Sequence, residues 1–121
     1  FALHAWNIAA DLIPHQGPAY DHINKAAAAL GHPLKQTNIH SSDIFYRKNP
    51  GTPAIAEKYH CLAVEMEAFA LFANAQHLGK TAATLLTVSD IIPTHEKISA
   101  DDRERALRPM IEVALKAGIN S

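Results

Sequence analysis

Two acidic side chains in the second half of the chain follow apolar runs that are typical of strands. Cys61–Met66 leads into Glu67, and Thr81–Val88 leads into Ser89 and Asp90. A carboxylate beside a buried strand is unfavourable unless a partner or a reaction requires it. Because open α/β sheets bind ligands beyond the carboxyl ends of their strands, parallel strands would bring both acids to one edge of the sheet. The alternative is that both acids only cap the helices and loops that follow.

The segments around these acids predict alternating strands and helices. AFALFANAQHLG has apolar residues at helical spacing and ends at Gly79, and it separates the two predicted strands. Ser99 is a predicted N-cap for a last helix from Ala100 to about Ala117, which Gly118 would end. Strand, helix, strand and helix in this order indicate a parallel α/β unit.

The first half of the chain is less regular. Four further elements are predicted there: a strand or packed loop over Phe1–Ile8, a helix over AYDHINKAAAAL that stops at Gly31 and Pro33, a strand over Leu34–Ile39, and a short helix from Pro53 to about Tyr59 with Thr52 as its cap.

Composition narrows the classes of function. The 121 residues are 48% hydrophobic and 19% charged, which is a globular composition and fits one domain, 1–121, or a piece of a larger one. A net charge of -1 provides no field for nucleic acid or an anionic membrane. No apolar run reaches the length of about 18 residues that a transmembrane helix needs. The eight histidines show no metal-ligand spacing, so no metal site is predicted.

Four segments carry a family resemblance. VEMEAFALF, LLTVSD, THEKISADDR and SSDIFY (Ser41 to Tyr46) together resemble the bacterial, DeoD-type purine nucleoside phosphorylases of the nucleoside phosphorylase/uridine phosphorylase superfamily. The resemblance extends from about Ile39 to the last residue. It implies an α/β fold with three α/β/α layers and a mixed sheet, of which this chain would supply the C-terminal part of a single domain.

The resemblance implies a nucleoside-binding role for five residues. Glu67 would accept hydrogen bonds from the ribose 2′ and 3′ hydroxyls, because a carboxylate offers two acceptor oxygens to a vicinal diol. Met66 would pack on the ribose, and Val64 with the backbone around Glu65 would line the base pocket. Phe45 would stack on the purine, unless it is an ordinary core residue.

The resemblance also implies a proton donor. Asp90 corresponds to the general acid that protonates purine N7, so that the base departs neutral. A free Asp has a pKa of about 3.9, and burial beside Val88 and Ile91 is expected to raise it. Arg103 matches the partner that assists this transfer, and Ser89 would orient the acid or touch the edge of the base. The alternative for Arg103 is a solvated charge in the first turn of its helix.

The function implied is phosphorolysis of purine (deoxy)ribonucleosides to free base and (deoxy)ribose 1-phosphate. Inorganic phosphate would be the co-substrate, with no cofactor and no metal. The parent enzyme would form dimers that assemble into a hexamer and would serve purine salvage in the cytoplasm, which the single cysteine, Cys61, also suits. The family builds its phosphate site from an N-terminal half that is not found in this sequence, so this fragment is expected to be weak or inactive.

Three alternatives remain. The first is a methylthioadenosine/S-adenosylhomocysteine-type nucleosidase. The Thr94–Glu96 segment (sequence Thr-His-Glu) and Arg103, thirteen residues after Asp90, both argue against it. Uridine phosphorylase is disfavoured because pyrimidines lack N7. A non-catalytic nucleoside-binding remnant is the third. Ile91 stands where many bacterial members carry His, which leaves purine selectivity open.

Overall fold

The computed structural model describes residues 2–49 and 51–119. These residues form helices and short strands in mixed order: α1 (Ala2–Ala5), α2 (Ala19–Leu30), β1 (Ile39–Ser41), α3 (Ala54–Lys58), β2 (Ala63–Glu65), α4 (Ala68–Leu78), β3 (Asp90–Ile91), β4 (Glu96–Lys97) and α5 (Ala100–Ile119). The chain divides into two compact units, the first made of Phe1–Gln16 with Lys35–Ala82 and the second of Gly17–Leu34 with Ala83–Ser121. The predicted α/β class is confirmed.

The first unit contains a parallel pair of strands. β1 and β2 run side by side, with Ile39 opposite Ala63 and Ser41 opposite Glu65, and α3 connects them. The Ser42 N–H donates to the Glu65 carbonyl at 2.8 Å and prolongs the pairing. Because side chains alternate along a strand, His40 and Val64 share one face of this pair while Ser41 and Glu65 share the other.

Helix α4 follows β2 after two residues and is held at both ends. Its buried side is made of small residues, Ala68, Ala73 and Ala75. Gly79 ends the helix with φ of 62°, a left-handed conformation that favours glycine, and the Lys80 N–H donates to the Ala75 carbonyl at 2.8 Å. The predicted helix and its glycine stop are therefore confirmed.

Helix α1 leads into an aromatic contact with α4. The ring of Trp6 stacks on that of His77 with centroids 3.9 Å apart, and its Nε1–H donates to Asn74 Oδ1 at 2.5 Å. The prediction of a strand or packed loop over Phe1–Ile8 is wrong where the chain is helical, at Ala2–Ala5. Phe1 and Pro50 lie outside the described residues.

Helices α2 and α5 pack together in the second unit. The buried residues Ala26, Ala27, Val113 and Ala117 form the core between them, and Ile23, Leu34 and Leu85 pack against it. Alanines on both helices allow close approach, so this core is narrow. Gly31 ends α2 with φ of 69°, as its sequence predicted.

The strand predictions needed the most correction. The strand expected over Leu34–Ile39 begins only at Ile39, and β2 is shorter than the predicted Cys61–Met66. In the predicted strand Thr81–Val88, only Ala82 makes a bridge, to Gln16, and no described residue pairs with 83–88. A strand requires a hydrogen-bonded neighbour, and apolar β-branched composition does not supply one.

Two helix-boundary predictions are also wrong. The N-cap position of α3 is Pro53, with no side-chain cap, instead of the predicted Thr52. Gly118 lies inside α5, which continues to Ile119. Gly118 is not among the glycines with positive φ, so it does not take the conformation that ends α2 and α4.

Candidate functional site

The Glu65 carboxylate closes the junction between β2 and α4. Its Oε2 accepts hydrogen bonds from the backbone N–H groups of Glu67, at 2.7 Å, and Ala68, at 2.6 Å. The first N–H groups of a helix have no partner within the helix, and a carboxylate there also complements the helix dipole. Glu65 is half-buried, so water satisfies these donors less well than the side chain does.

Ser41 joins the same junction from the neighbouring strand. Its hydroxyl donates to Glu65 Oε1 and accepts from the Phe69 N–H at 2.9 Å. Because Ser41 and Glu65 are register partners on one face of the strand pair, three consecutive N–H groups at the start of α4 are bound by strand side chains. The sequence prediction placed the backbone around Glu65 at the base pocket, and the structure shows its carboxylate engaged by protein donors.

Glu67 lies at the N-cap position of α4 and remains exposed. One carboxylate oxygen, Oε2, accepts from the Met66 N–H at 3.2 Å, the longest carboxylate contact at this junction. Glu65 fixes the backbone of Glu67 through the hydrogen bond to its N–H. The structure thus separates the two acids of VEME, since Glu65 is bound within the fold and Glu67 is presented to solvent.

The apolar residues predicted to contact the nucleoside are exposed in the described chain. Val64 and Met66 are both exposed, and Phe45 is 75% exposed with its ring edge-on to that of Tyr46, 4.9 Å between centroids. Phe45 is therefore not a core residue here. These side chains belong to the first unit, as does Glu67.

Asp90 and Ser89 lie in a small hairpin of the second unit. Asp90 and Ile91 form β3, which pairs antiparallel with β4 so that Asp90 is opposite Lys97. The turn between them contains a 3-10 segment, Ile92–Thr94, and His95 at φ of 55°. The Ser89 hydroxyl donates to Asp90 Oδ2 at 2.6 Å.

The predicted burial of Asp90 is wrong for the described chain. Asp90 is exposed, and its neighbours Val88 and Ile91 are 65% and 47% exposed. The predicted parallel strand before it is not formed over residues 83–88, and the strand that pairs with β3, β4, runs antiparallel to it. The apolar neighbours thus provide no cover for the carboxylate.

Arg103 lies in the first turn of α5, which begins after the N-cap residue Ser99. The Ser99 hydroxyl accepts from the Asp102 N–H at 3.1 Å and donates to the Asp102 carboxylate at 2.7 Å, which confirms the predicted cap. The Arg103 N–H donates to the Ser99 carbonyl at 2.9 Å. Its guanidinium makes no ion pair with another described residue, so the predicted contact with Asp90 stays a prediction.

A polar cluster on the other face of β1 was missed by the sequence interpretation. Arg47 Nη2 lies 3.1 Å from His40 Nε2 and donates to Ser42 Oγ at 2.9 Å. Burial and the nearby Arg47 charge lower the pKa of His40, and Glu65 partly opposes them. The sequence signal that could have predicted this cluster is the pair Ser41 and Ser42 at the end of a strand, followed by Arg47.

Two other kinds of feature are not found. Within residues 2–49 and 51–119, no group of three or more His, Cys, Asp or Glu side chains could hold a metal ion. No described helix is both long and apolar enough to span a membrane.

Comparison with known proteins gives a consistent family. A family model described as the phosphorylase superfamily matches residues 15–116. The DeoD-type purine nucleoside phosphorylase of Colwellia psychrerythraea is 45% identical over 91 residues, which is 75% of this chain and 39% of that protein. Those of Photorhabdus laumondii, 42% over 92 residues, and Psychromonas ingrahamii, 44% over 90 residues, cover similar shares.

The match covers most of this chain but less than half of each relative. The chain spans about two fifths of the length of these curated relatives, at 38–39% of each. The family model, by contrast, covers most of the chain, including every predicted site residue from Phe45 to Arg103. The chain therefore belongs to the phosphorylase superfamily.

Proposed function

We propose that this chain carries the nucleoside-binding and proton-donating residues of a purine nucleoside phosphorylase. The reaction is phosphorolysis of a purine (deoxy)ribonucleoside to free base and (deoxy)ribose 1-phosphate, with inorganic phosphate as co-substrate and no cofactor. The observation that carries this proposal is the 41–45% identity to DeoD-type purine nucleoside phosphorylases over about three quarters of the chain.

Glu67 is the proposed ligand of the ribose hydroxyls. Its support is the junction that holds its backbone N–H on Glu65 at 2.7 Å while leaving its own carboxylate exposed. A carboxylate at this position can accept from two vicinal hydroxyls, and its charge stabilises the positive character that develops on the ribose as the glycosidic bond breaks. Met66 and Val64 are proposed to contact the ribose and the base, and Phe45 to stack on the purine.

Asp90 is the proposed general acid. The proton passes to purine N7, the glycosidic bond electrons go to the base, and the base leaves neutral while phosphate attacks the anomeric carbon. The hydrogen bond from Ser89 occupies Oδ2, which leaves Oδ1 as the oxygen that can carry the proton. Arg103 is proposed to hydrogen-bond to Asp90 during the transfer and to stabilise the carboxylate that remains.

The wider setting is part of the same proposal. We propose a parent enzyme that works in the cytoplasm in purine salvage as a hexamer built from dimers. The phosphate site is expected on residues that this chain does not supply, so the isolated fragment is expected to be weak or inactive. A nucleosidase is not favoured, because the relatives described above are all named as phosphorylases.

The test is release of free base from inosine and from adenosine, with and without added phosphate, by the longest native form of the protein. Release that requires phosphate is the expected result. Release without phosphate would indicate a nucleosidase and would contradict the role given to Arg103. Nucleoside binding without release in that longest form would indicate a non-catalytic remnant.

A further inference from the structure

A buried serine at the end of β1 binds the segment that carries Phe45. Ser42 is 6% exposed, and its hydroxyl uses all of its hydrogen-bonding capacity. It donates to the Ile44 carbonyl at 2.9 Å, accepts from the Ile44 N–H at 3.2 Å and accepts from Arg47 Nη2 at 2.9 Å. The residues between Ser42 and Arg47 therefore form a loop that is closed at both ends.

Arg47 closes this loop through one terminal nitrogen. Nη2 carries two hydrogens, and its two neighbours, Ser42 Oγ at 2.9 Å and His40 Nε2 at 3.1 Å, can accept one each. For His40 Nε2 to accept, the ring must be neutral and carry its one proton on Nδ1. His40 lies on the face of β1 that also carries its register partner Val64, and Ser42 directly follows the end of β1.

The Phe45 ring that the loop carries makes one ring contact among the described residues. Phe45 and Tyr46 are 75% and 89% exposed, and the ring contact found for them is the one they make with each other. An exposed ring on a free loop samples many orientations, and ordering it on ligand binding reduces affinity. Fixing the loop before the ligand arrives removes part of that loss.

We propose that Arg47 is a positioning residue, which holds the loop of residues 42–47 on β1 so that Phe45 is oriented to stack on a purine base. This proposal rests on the function proposed above. It gives Arg47 no contact with substrate. The aromatic ring does the binding, and Arg47 acts through it.

The decisive experiment is a double-mutant cycle on nucleoside binding by the longest native form of the protein. Arg47→Ala is expected to raise the Kd for inosine about tenfold, the equivalent of losing one hydrogen bond from a charged donor. Phe45→Ala is expected to weaken binding by a similar factor, and adding Arg47→Ala to it is expected to change nothing further, because residues that act as one unit are not additive. Lys48→Ala, which removes an adjacent exposed cation, is the control and should bind as the wild type does.

Two further readouts separate positioning from a general effect on folding. Amide hydrogen exchange over residues 43–46 should be faster in Arg47→Ala and unchanged elsewhere in the first unit, with or without nucleoside. Arg47→Lys, which keeps the charge but not the fork, should recover only part of the affinity.

The possible outcomes test the positioning role of Arg47 separately from the proposed nucleoside phosphorylase function. If the wild type binds inosine and the two substitutions prove additive, or if exchange over residues 43–46 does not change, the positioning role is overturned and the proposed function stands. If the wild type binds no purine nucleoside, the proposed function fails and this inference fails with it.

Discussion

The β2–α4 junction and the β3–β4 hairpin each present a carboxylate where a strand meets the next element, and they hold it by different means. At the junction, Glu65 and Ser41 accept hydrogen bonds from three consecutive N–H groups at the start of α4. The first of these is the backbone N–H of Glu67. In the hairpin, the described contact of the Asp90 carboxylate is one hydrogen bond from the adjacent Ser89.

This difference separates two ways of preparing an acid for chemistry. A side chain that binds ribose, the role proposed for Glu67, has to be in place before the substrate binds, and the junction fixes the backbone of Glu67 with contacts made within the first unit. A general acid, the role proposed for Asp90, has to keep and then give up a proton, which requires cover from water that the exposed hairpin alone does not provide. Because the two carboxylates are held so differently, substituting them should have different effects on activity and stability.

The largest expected effect is on activity and comes from Asp90→Asn. An amide cannot supply a proton to N7, so phosphorolysis of inosine should fall by about 10²–10⁴-fold in the longest native form. The free energy of unfolding should stay unchanged, because Asp90 is exposed and its carboxylate has one hydrogen bond among the described residues, from Ser89. Steady-state kinetics and urea denaturation check the two halves of this expectation.

Glu96→Gln is the matched control for that experiment. It neutralises an exposed acid in the same hairpin, on the paired strand, and should leave the rate unchanged. Substantial activity in Asp90→Asn, or an equal loss in Glu96→Gln, would remove the general-acid assignment.

The next effect in size is on stability and comes from the junction. Glu65→Ala leaves the N–H groups of Glu67 and Ala68 without their acceptor, and should reduce the free energy of unfolding by about 1–3 kcal/mol. Glu67→Ala removes a single 3.2 Å contact and should cost well under half of that. Equal losses in urea denaturation would show that Glu65 does not hold the junction.

Local signals in the sequence were sufficient to predict where the main helices begin or end. Gly31 and Gly79 end α2 and α4 because their positive φ suits glycine, and Ser99 begins α5 because its hydroxyl accepts from the third residue of the helix. These features involve residues within a few positions of each other. Gly118 misled the prediction because a glycine can also continue a helix at a modest cost.

Pairing between distant residues could not be read from composition. Thr81–Val88 has the β-branched, apolar character of a strand, yet 83–88 have no ladder partner among the described residues. The same limit affected the site. Glu65 and Glu67 look equivalent in VEME, and only the register of β1 against β2, which brings Ser41 to Glu65, shows that Glu65 is bound within the fold.

A smaller stability effect is expected from the cap of α5. Ser99→Ala should reduce the free energy of unfolding by about 1 kcal/mol, because one backbone N–H loses its acceptor. Ser99→Thr keeps the hydroxyl and should recover most of the loss. Since Glu65 accepts from two N–H groups at the start of α4 and Ser99 accepts from one at the start of α5, a loss for Ser99→Ala larger than that for Glu65→Ala would contradict this order.

The smallest expected effect is a pH dependence of the free energy of unfolding. It comes from His40, on the face of β1 opposite to that of Ser41. Burial and the charge of Arg47 lower the pKa of His40 below its usual value of 6.5, against a smaller opposing effect of Glu65. Between the lowered pKa and 6.5, the unfolded chain therefore binds more protons at this residue than the folded chain does. The stability that His40 contributes is complete above about pH 6.5 and falls as the pH drops through that window.

His40→Gln keeps an acceptor for Arg47 without a titrating ring, and the difference in unfolding free energy between wild type and variant should change between about pH 7.5 and about pH 5. A difference that is flat over this range would mean that His40 is protonated as readily in the folded chain as in the unfolded one, and that its contact with Arg47 does not require the neutral ring.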